Sequence, residues 1–309
     1  MGKLKVNKNN DMVTSRACFS LMENRVILYG VSLVNPKKDD FPLSYMIEVE
    51  RFAKMFDLCV DRLYSELKTD ILQKMRKRSM TVRKQKIVNG EVVGYFNRAF
   101  NFVQYADYED NEGYLKITFD PESKPFLHNL TENYTSYYLD CVSKFKSNYS
   151  IRFFEWCVMR LNQNNGEKTS LDLTLDEIRE RLDLVSNYPK YGDLKRKVIK
   201  KAIDEINSYK EDCGISIQII DNKPEHKLGG KAVHNITLII KPELKKEDQL
   251  DLRLDGGSTK KKKVEMTFTK QVKLCEKMKA ALSDYDFELW RDEQVRNYII
   301  SQEIANEYE

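Results

Sequence analysis

Histidine is scarce in this 309-residue chain. There are three, His128, His226 and His234, and no two form a His-x-His pair. A metal-dependent nicking reaction through a tyrosine nucleophile needs such a pair, so the 17 tyrosines carry no catalytic implication. The six cysteines, at positions 18, 59, 141, 157, 213 and 275, include no CxxC motif. That spacing speaks against a zinc site or a disulfide framework and for reduced, packed thiols. No apolar run reaches the roughly 18 residues from which a membrane span is read. The polar start MGKLKVNKNNDMV lacks a signal-type apolar core, and Val6 stands where N-myristoylation wants Ser or Thr. A cytoplasmic protein is expected. The pair Gly229-Gly230 sits in LGGKA, without the spacing of a phosphate-binding loop. Carboxylates are abundant, but no pair stands apart from ordinary surface acids. The sequence therefore reads as a non-enzyme without metal or cofactor.

What is present is charge, and it is segregated. Lys and Arg number 52 against 48 Asp and Glu, a net of only +4. Acidic runs at 107–112 and 303–309 offset basic ones at 74–78, 83–86, 195–201 and 260–263. Local contrast of this kind points to an anionic partner more than the total does. The length suffices for two compact domains with cores of their own.

One unit occurs twice. IEVERFAKMFDLCVDRLYSELKTDILQKM corresponds to LTLDEIRERLDLVSNYPKYGDLKRKVIKKA. Phe52, Phe56, Asp57 and Leu58 fall opposite Ile178, Leu182, Asp183 and Leu184 at a constant offset. After one inserted residue, Tyr64, Leu67, Lys68, Ile71, Leu72 and Met75 match Tyr191, Leu194, Lys195, Val198, Ile199 and Ala202. An apolar-periodic helical segment precedes each copy: RACFSLMENRVILYGVSLV and YSIRFFEWCVMRL. Alternating β pattern follows each. In the first copy it is SMTVRKQKIV, an Asn89-Gly90 turn, EVVGYFNRAFNFVQY and YLKITF; in the second it is ISIQII and HNITLII. Each unit is expected to be helix, helix, helix, hairpin.

Two short helices across a tight turn with a hairpin behind them make a winged helix, whose second helix is free to enter a DNA major groove. The fold class expected is α+β: two tandem winged-helix domains related by duplication, plus a small C-terminal helical extension. The expected domains are 1–130, for dimerisation and backbone contacts, and 131–250, the main DNA reader. A basic flexible linker at 251–263 and a helical region at 264–309 follow.

The helix YGDLKRKVIKKAIDEIN carries the densest positive charge. At about 100° per residue, Arg196, Lys197 and Lys200 lie opposite a stripe of Leu194, Val198, Ala202 and Ile206. Lys195 points along the apolar side. Arg196 is the expected base contact with Lys200 one turn along, while Lys197 and the wing lysines Lys223, Lys227 and Lys231 meet phosphates, and Lys195 and Lys201 are counted among the DNA-contacting residues. The first copy presents Thr69, Gln73 and Lys77 outward and keeps its basic residues, Lys74 to Arg78 among them, at the helix end.

The segment KFKSNYSIRFFEW, with its Lys-Ser-x-Tyr-Ser-Ile-Arg-x-x-Glu pattern, resembles the opening of the second winged helix in the iteron-binding plasmid replication initiators of the Rep_3 type. Asn10-x-Met12-Val13, Glu23-x-Arg25-Val26-Ile27-Leu28, YLKITFDPESKPFLHNL and the Tyr191 to Asn207 helix are similar to that family as well. The likeness spans about residues 8 to 242. It implies binding of double-stranded DNA at origin repeats, recruitment of host initiator and helicase proteins, and a monomer–dimer equilibrium. In that equilibrium monomers initiate, and dimers formed through the first domain repress the promoter. Lys146, Ser147, Asn148, Arg152, Tyr191, Lys68 and Arg78 join the DNA-contacting set with the residues above.

Three readings stay open at this point. The aromatics Tyr95, Phe96, Phe100, Phe102 and Tyr105 serve either an internal core or a self-complementary sheet edge. The region after Leu254 is either an appendage packed on the second domain or a docking module for a host protein. The function is either an initiator or a winged-helix transcriptional regulator, with a partition or structural DNA-binding protein behind them.

Overall fold

The computed structural model describes residues 3–17, 19–36, 41–67, 72–75, 77–88, 91–108, 112–222 and 233–243. The expectations for 251–263 and 264–309, and for Lys68, Thr69, Lys223, Lys227 and Lys231, lie outside the described residues. For Gln73 only the backbone is described.

The first half begins with β1 (Lys5–Asn9), α1 (Asn10–Thr14), β2 (Arg16–Ala17) and α2 (Leu21–Leu33). Helix α2 starts later than the apolar pattern suggests because Ser20 caps it. The Ser20 hydroxyl accepts from the Glu23 N–H and the Glu23 carboxylate accepts from the Ser20 N–H, a reciprocal box that ends the preceding segment. Next come β3 (Ser44–Glu48), α3 (Val49–Met55), α4 (Val60–Glu66) and α5 (Leu72–Met75). Four strands follow: β4 (Ser79–Val88), β5 (Glu91–Asn101), β6 (Val103–Tyr108) and β7 (Tyr114–Phe119). Then α6 (Lys124–Leu127), β8 (Tyr134–Tyr138) and α7 (Asp140–Ser143) lead into the long helix α8 (Asn148–Gln163).

The hairpin foretold by Asn-Gly forms, with β4 paired to β5 from Val88↔Glu91 to Ser79↔Asn101. It is not the first wing, as the sequence pattern suggests. It makes a sheet with β2, order β2-β4-β5, while the three-stranded sheet on the helices is β3-β7-β6. Helix α2 lies against that sheet at Gly30, where an added Cβ would sit 3.1 Å from Phe119 and 3.2 Å from Ile117. Alternation alone cannot distinguish two consecutive hairpins, because both have a period of two.

The second half runs β9 (Thr169–Thr174), α9 (Leu175–Arg181), α10 (Tyr191–Leu194), a π-type turn at Lys195–Ile199, α11 (Lys200–Ser208), α12 (Lys210–Cys213), β10 (Ile215–Asn222) and β11 (Asn235–Pro242). Thr174 and Glu177 repeat the capping box at the start of α9. The sheet order is β10-β11-β9. In both halves the strand before the helix pair joins the last strand, which joins the one before it. Matching positions are buried in both: Phe52, Phe56, Leu67 and Met75 in the first, Ile178, Leu182, Leu194 and Ala202 in the second. The topology is that of two tandem winged helices.

Strand β8, which follows the boundary expected near residue 130, pairs antiparallel with β1 from the start of the chain. Helix α8 then packs on α1 and β8, with Ile151, Phe153, Phe154, Trp156 and Cys157 buried. Apolar contact alone would let this helix slide, and polar bonds set its register. The Trp156 Nε1–H donates to Val13 O at 3.0 Å, and Arg152 Nη2 donates to Ser15 O at 2.6 Å. Glu155, wholly buried, accepts from Lys8 Nζ at 2.5 Å and from the Tyr137 hydroxyl at 2.6 Å. Burial by itself would raise the Glu155 carboxyl, but Lys8, Arg152 and the two hydrogen bonds outweigh it and hold it below the ordinary range. Burial pushes Lys8 down. The aromatics also divide. Phe102 is buried and Phe100 stacks on Phe126 at 5.6 Å, whereas Tyr95, Phe96 and Tyr105 are exposed.

Candidate nucleic-acid interface

The helix from Tyr191 to Ser208 buries Leu194, Val198, Ile199, Ala202, Ile203 and Ile206. That stripe is wider than the one drawn at uniform helical spacing, because the π-type turn admits Ile199 beside Val198. Arg196, Lys197, Lys200 and Lys201 are exposed on the remaining surface. The turn before the helix is fixed from α9, where Arg179 donates to Tyr188 O at 3.4 Å and to Pro189 O at 3.1 Å. The far end is fixed from β10. Asn207 donates to Ile217 O and accepts from the Ile217 N–H, both at 2.8 Å. Glu205 accepts the Lys146 N–H at 2.7 Å and the Ser150 hydroxyl, which ties the helix to the start of α8. The result is a rigid platform with cations on its outer side.

Those cations have partners that the sequence reading passed over. Asp193 lies 2.9 Å from Arg196 and 3.7 Å from Lys197. Asp204 lies 2.6 Å from Lys200. Asp221, on β10, takes Lys195 at 2.6 Å and the Tyr191 hydroxyl at 2.5 Å. Burial, with Asp221 beside it, pushes the Tyr191 hydroxyl up, so it stays a donor to that carboxylate. The three- and four-residue spacings of Asp193 and Asp204 are legible in the sequence. The Asp221 contact spans two elements and is not.

The other expected contact residues are dispersed. Arg152 corrects the expectation. It is buried, and its guanidinium faces Ser15 O and Glu155 in the protein interior rather than a phosphate. Asn148, half-buried, is engaged within the protein as well, donating to Phe19 O at 2.8 Å and accepting from Asn24 at 2.7 Å. Ser147 caps α8 by accepting from the Tyr149 N–H at 3.2 Å, and the Lys146 side chain is exposed. In the first unit Lys77 is exposed, while Arg78 lies 3.3 Å from the buried Glu23 carboxylate.

Among the described residues no group of three or more His, Cys, Asp or Glu is placed to hold a metal, and no helix is long and apolar enough to cross a membrane. Of the four described cysteines, Cys157 and Cys213 are buried and Cys59 is exposed.

Comparison with known proteins gives the same architecture. A replication initiation protein from Escherichia coli is 28% identical over 216 residues, which cover 68% of this chain and 64% of that protein. The match thus spans just under two thirds of that relative's length. The PI protein of Escherichia coli is 25% identical over 123 residues, covering 36% of this chain and 40% of that one. A crystal structure of the Pi initiator protein in complex with iteron DNA superposes with a TM-score of 0.63 at 22% identity, over 78% of this chain and 98% of that one. Residues 5–158 match the family described as initiator replication protein, WH1, and residues 174–240 match its WH2 partner. With both winged-helix domains present in order, the chain belongs to the initiator replication protein family.

Proposed function

We propose that this protein is a plasmid replication initiator that binds repeated double-stranded sites at its origin. The observation behind this reading is the helix Tyr191–Ser208. It is buried on one side, pinned at both ends, and offers Arg196, Lys197, Lys200 and Lys201 outward. A helix so presented matches the docking of helix-turn-helix readers in the major groove. Arg196 is assigned to a base edge, where its planar fork suits guanine, and Lys200 lies one turn along. Lys197, Lys201 and the wing lysine Lys227 are assigned to phosphates. Lys77 is assigned to the backbone contacts of the first domain.

Two further roles belong to the same reading. The exposed Tyr95, Phe96 and Tyr105 on the outer strands β5 and β6 are assigned to a two-fold dimer that represses the protein's own promoter, since a strand edge left unpaired among the described residues, with apolar side chains, invites a second copy. The monomer recruits the host initiator and helicase in the cytoplasm. The test is transformation with the gene and its upstream region as the sole replication source. Maintenance supports the initiator, and direct repeats upstream should bind the purified protein. A protein that binds one inverted repeat and never sustains replication in any plausible host is a regulator instead.

A further inference from the structure

Four of the five cations of the recognition helix are paired rather than simply displayed. Lys195 pairs with Asp221 at 2.6 Å, Arg196 and Lys197 with Asp193 at 2.9 and 3.7 Å, and Lys200 with Asp204 at 2.6 Å. Glu205, by contrast, faces inward to the start of α8. Among the described residues Lys201 forms no ion pair. Three carboxylates thus stand on the surface that the reading above turns toward DNA.

We propose that Asp193, Asp204 and Asp221 are specificity-determining residues that act as a carboxylate screen over this helix. The proposal rests on the DNA-binding reading. In a non-specific complex each carboxylate repels phosphate and holds a cation that would otherwise turn to a phosphate. Non-specific binding draws essentially all of its affinity from phosphate neutralisation, so the screen weakens it directly. A specific site offsets the loss through base contacts, which do not depend on the phosphate count. The screen therefore widens the gap between a cognate duplex and the surrounding DNA. The positions fit that role. Asp193 and Asp204 are on the helix, half-buried and exposed respectively, so neither is needed to close the core. Asp221 is the next-to-last residue of β10 and holds Tyr191 and Lys195 together, so it also sets the start of the helix against the sheet.

The experiment measures binding of the full chain to a random-sequence duplex and to a duplex selected from a random pool, across a salt series. Asp193→Asn and Asp204→Asn keep size and hydrogen bonding and remove charge. Each should raise affinity for the random duplex about three- to tenfold near 0.1 M salt and steepen the salt dependence by roughly one unit. Affinity for the selected duplex should rise less, so the preference ratio falls. Asp212→Asn is the control, because it frees Lys144 from an exposed pair of 2.9 Å off this helix and changes net charge equally. It should leave random-duplex binding near wild type. An equal rise in the control, or unchanged binding and slope in both helix variants, overturns the screen. A wild-type protein that binds neither duplex at low salt overturns the DNA-binding reading itself.

Discussion

Asp57 and Asp183 occupy the same place in the two halves and adopt the same uncommon backbone, with φ of 51° and 56°. Each follows the C-cap residue of the first helix of its pair, Phe56 at the end of α3 and Leu182 at the end of α9. In each the next residue turns its N–H back onto the helix, Leu58 to Ala53 O at 2.9 Å and Leu184 to Arg179 O at 2.7 Å. This is the left-handed helix stop normally made by glycine. Its recurrence with aspartate at both positions ties the two winged helices together by a local feature that helical periodicity alone does not require. Only Asp183 has the Arg16 ion pair, at 2.5 Å.

The left-handed stop predicts opposite effects of two substitutions at the site without the ion pair. Asp57→Gly should be neutral or stabilising by up to about 1 kcal/mol, because glycine has no Cβ to clash. Asp57→Val should cost about 1 to 2 kcal/mol. Urea denaturation of both variants checks the pair. Equal destabilisation would show that the aspartate side chain, not the backbone angle, matters.

The buried Lys8–Glu155 pair predicts both a stability and a pH effect. Glu155→Gln leaves Lys8 and Arg152 without their carboxylate and should cost about 3 to 5 kcal/mol. The Glu155 carboxyl is held below its unfolded range, so its contribution is present above that range and lost as pH falls through the folded value. Wild-type stability should therefore decline on acidification, below roughly pH 4.5, more steeply than that of Glu155→Gln. Burial lowers Lys8, so between its folded value and the ordinary lysine range stability rises with pH. Denaturation midpoints across pH test both signs.

Arg196 and Lys201 should separate base reading from backbone contact. Arg196→Ala should cost about 1 to 3 kcal/mol on a selected duplex and relax preference at one base pair. Lys201→Ala should weaken all duplexes alike and lower the salt slope by roughly one unit. If Arg196→Ala weakened selected and scrambled duplexes equally, the helix would be a backbone clamp.

The aromatics of β5 and β6 should divide in the same way as their burial. Phe100→Ala removes a ring stacked on Phe126 and should destabilise the fold by about 3 kcal/mol. Tyr95→Ser with Phe96→Ser should leave stability within about 1 kcal/mol, since both side chains are largely exposed. In sedimentation over a concentration series the wild type should self-associate and the double variant should not. A wild type that stays monomeric at high concentration, with and without operator DNA, removes the dimer.

Much of this protein is local and therefore readable in the chain. The S-x-x-E and T-x-x-E boxes start helices, the Asn-Gly pair sits between the strands of a hairpin, and the spacing of Leu194, Val198, Ala202 and Ile206 defines the inner face of the Tyr191–Ser208 helix. These are short-range patterns, set by the helical and strand periods and by capping chemistry. The rest depends on partners distant in sequence. Strand β8 finds β1, β6 and β7 rather than β4 and β5 complete the first winged-helix sheet, Arg152 turns inward to Ser15, and Asp221 reaches Lys195. A residue's own sequence neighbourhood does not reveal such contacts, because a strand fits many pairings until burial of one face selects among them. A cation reads the same whether it meets a phosphate, a carbonyl or a carboxylate. Only the packed chain decided which it meets.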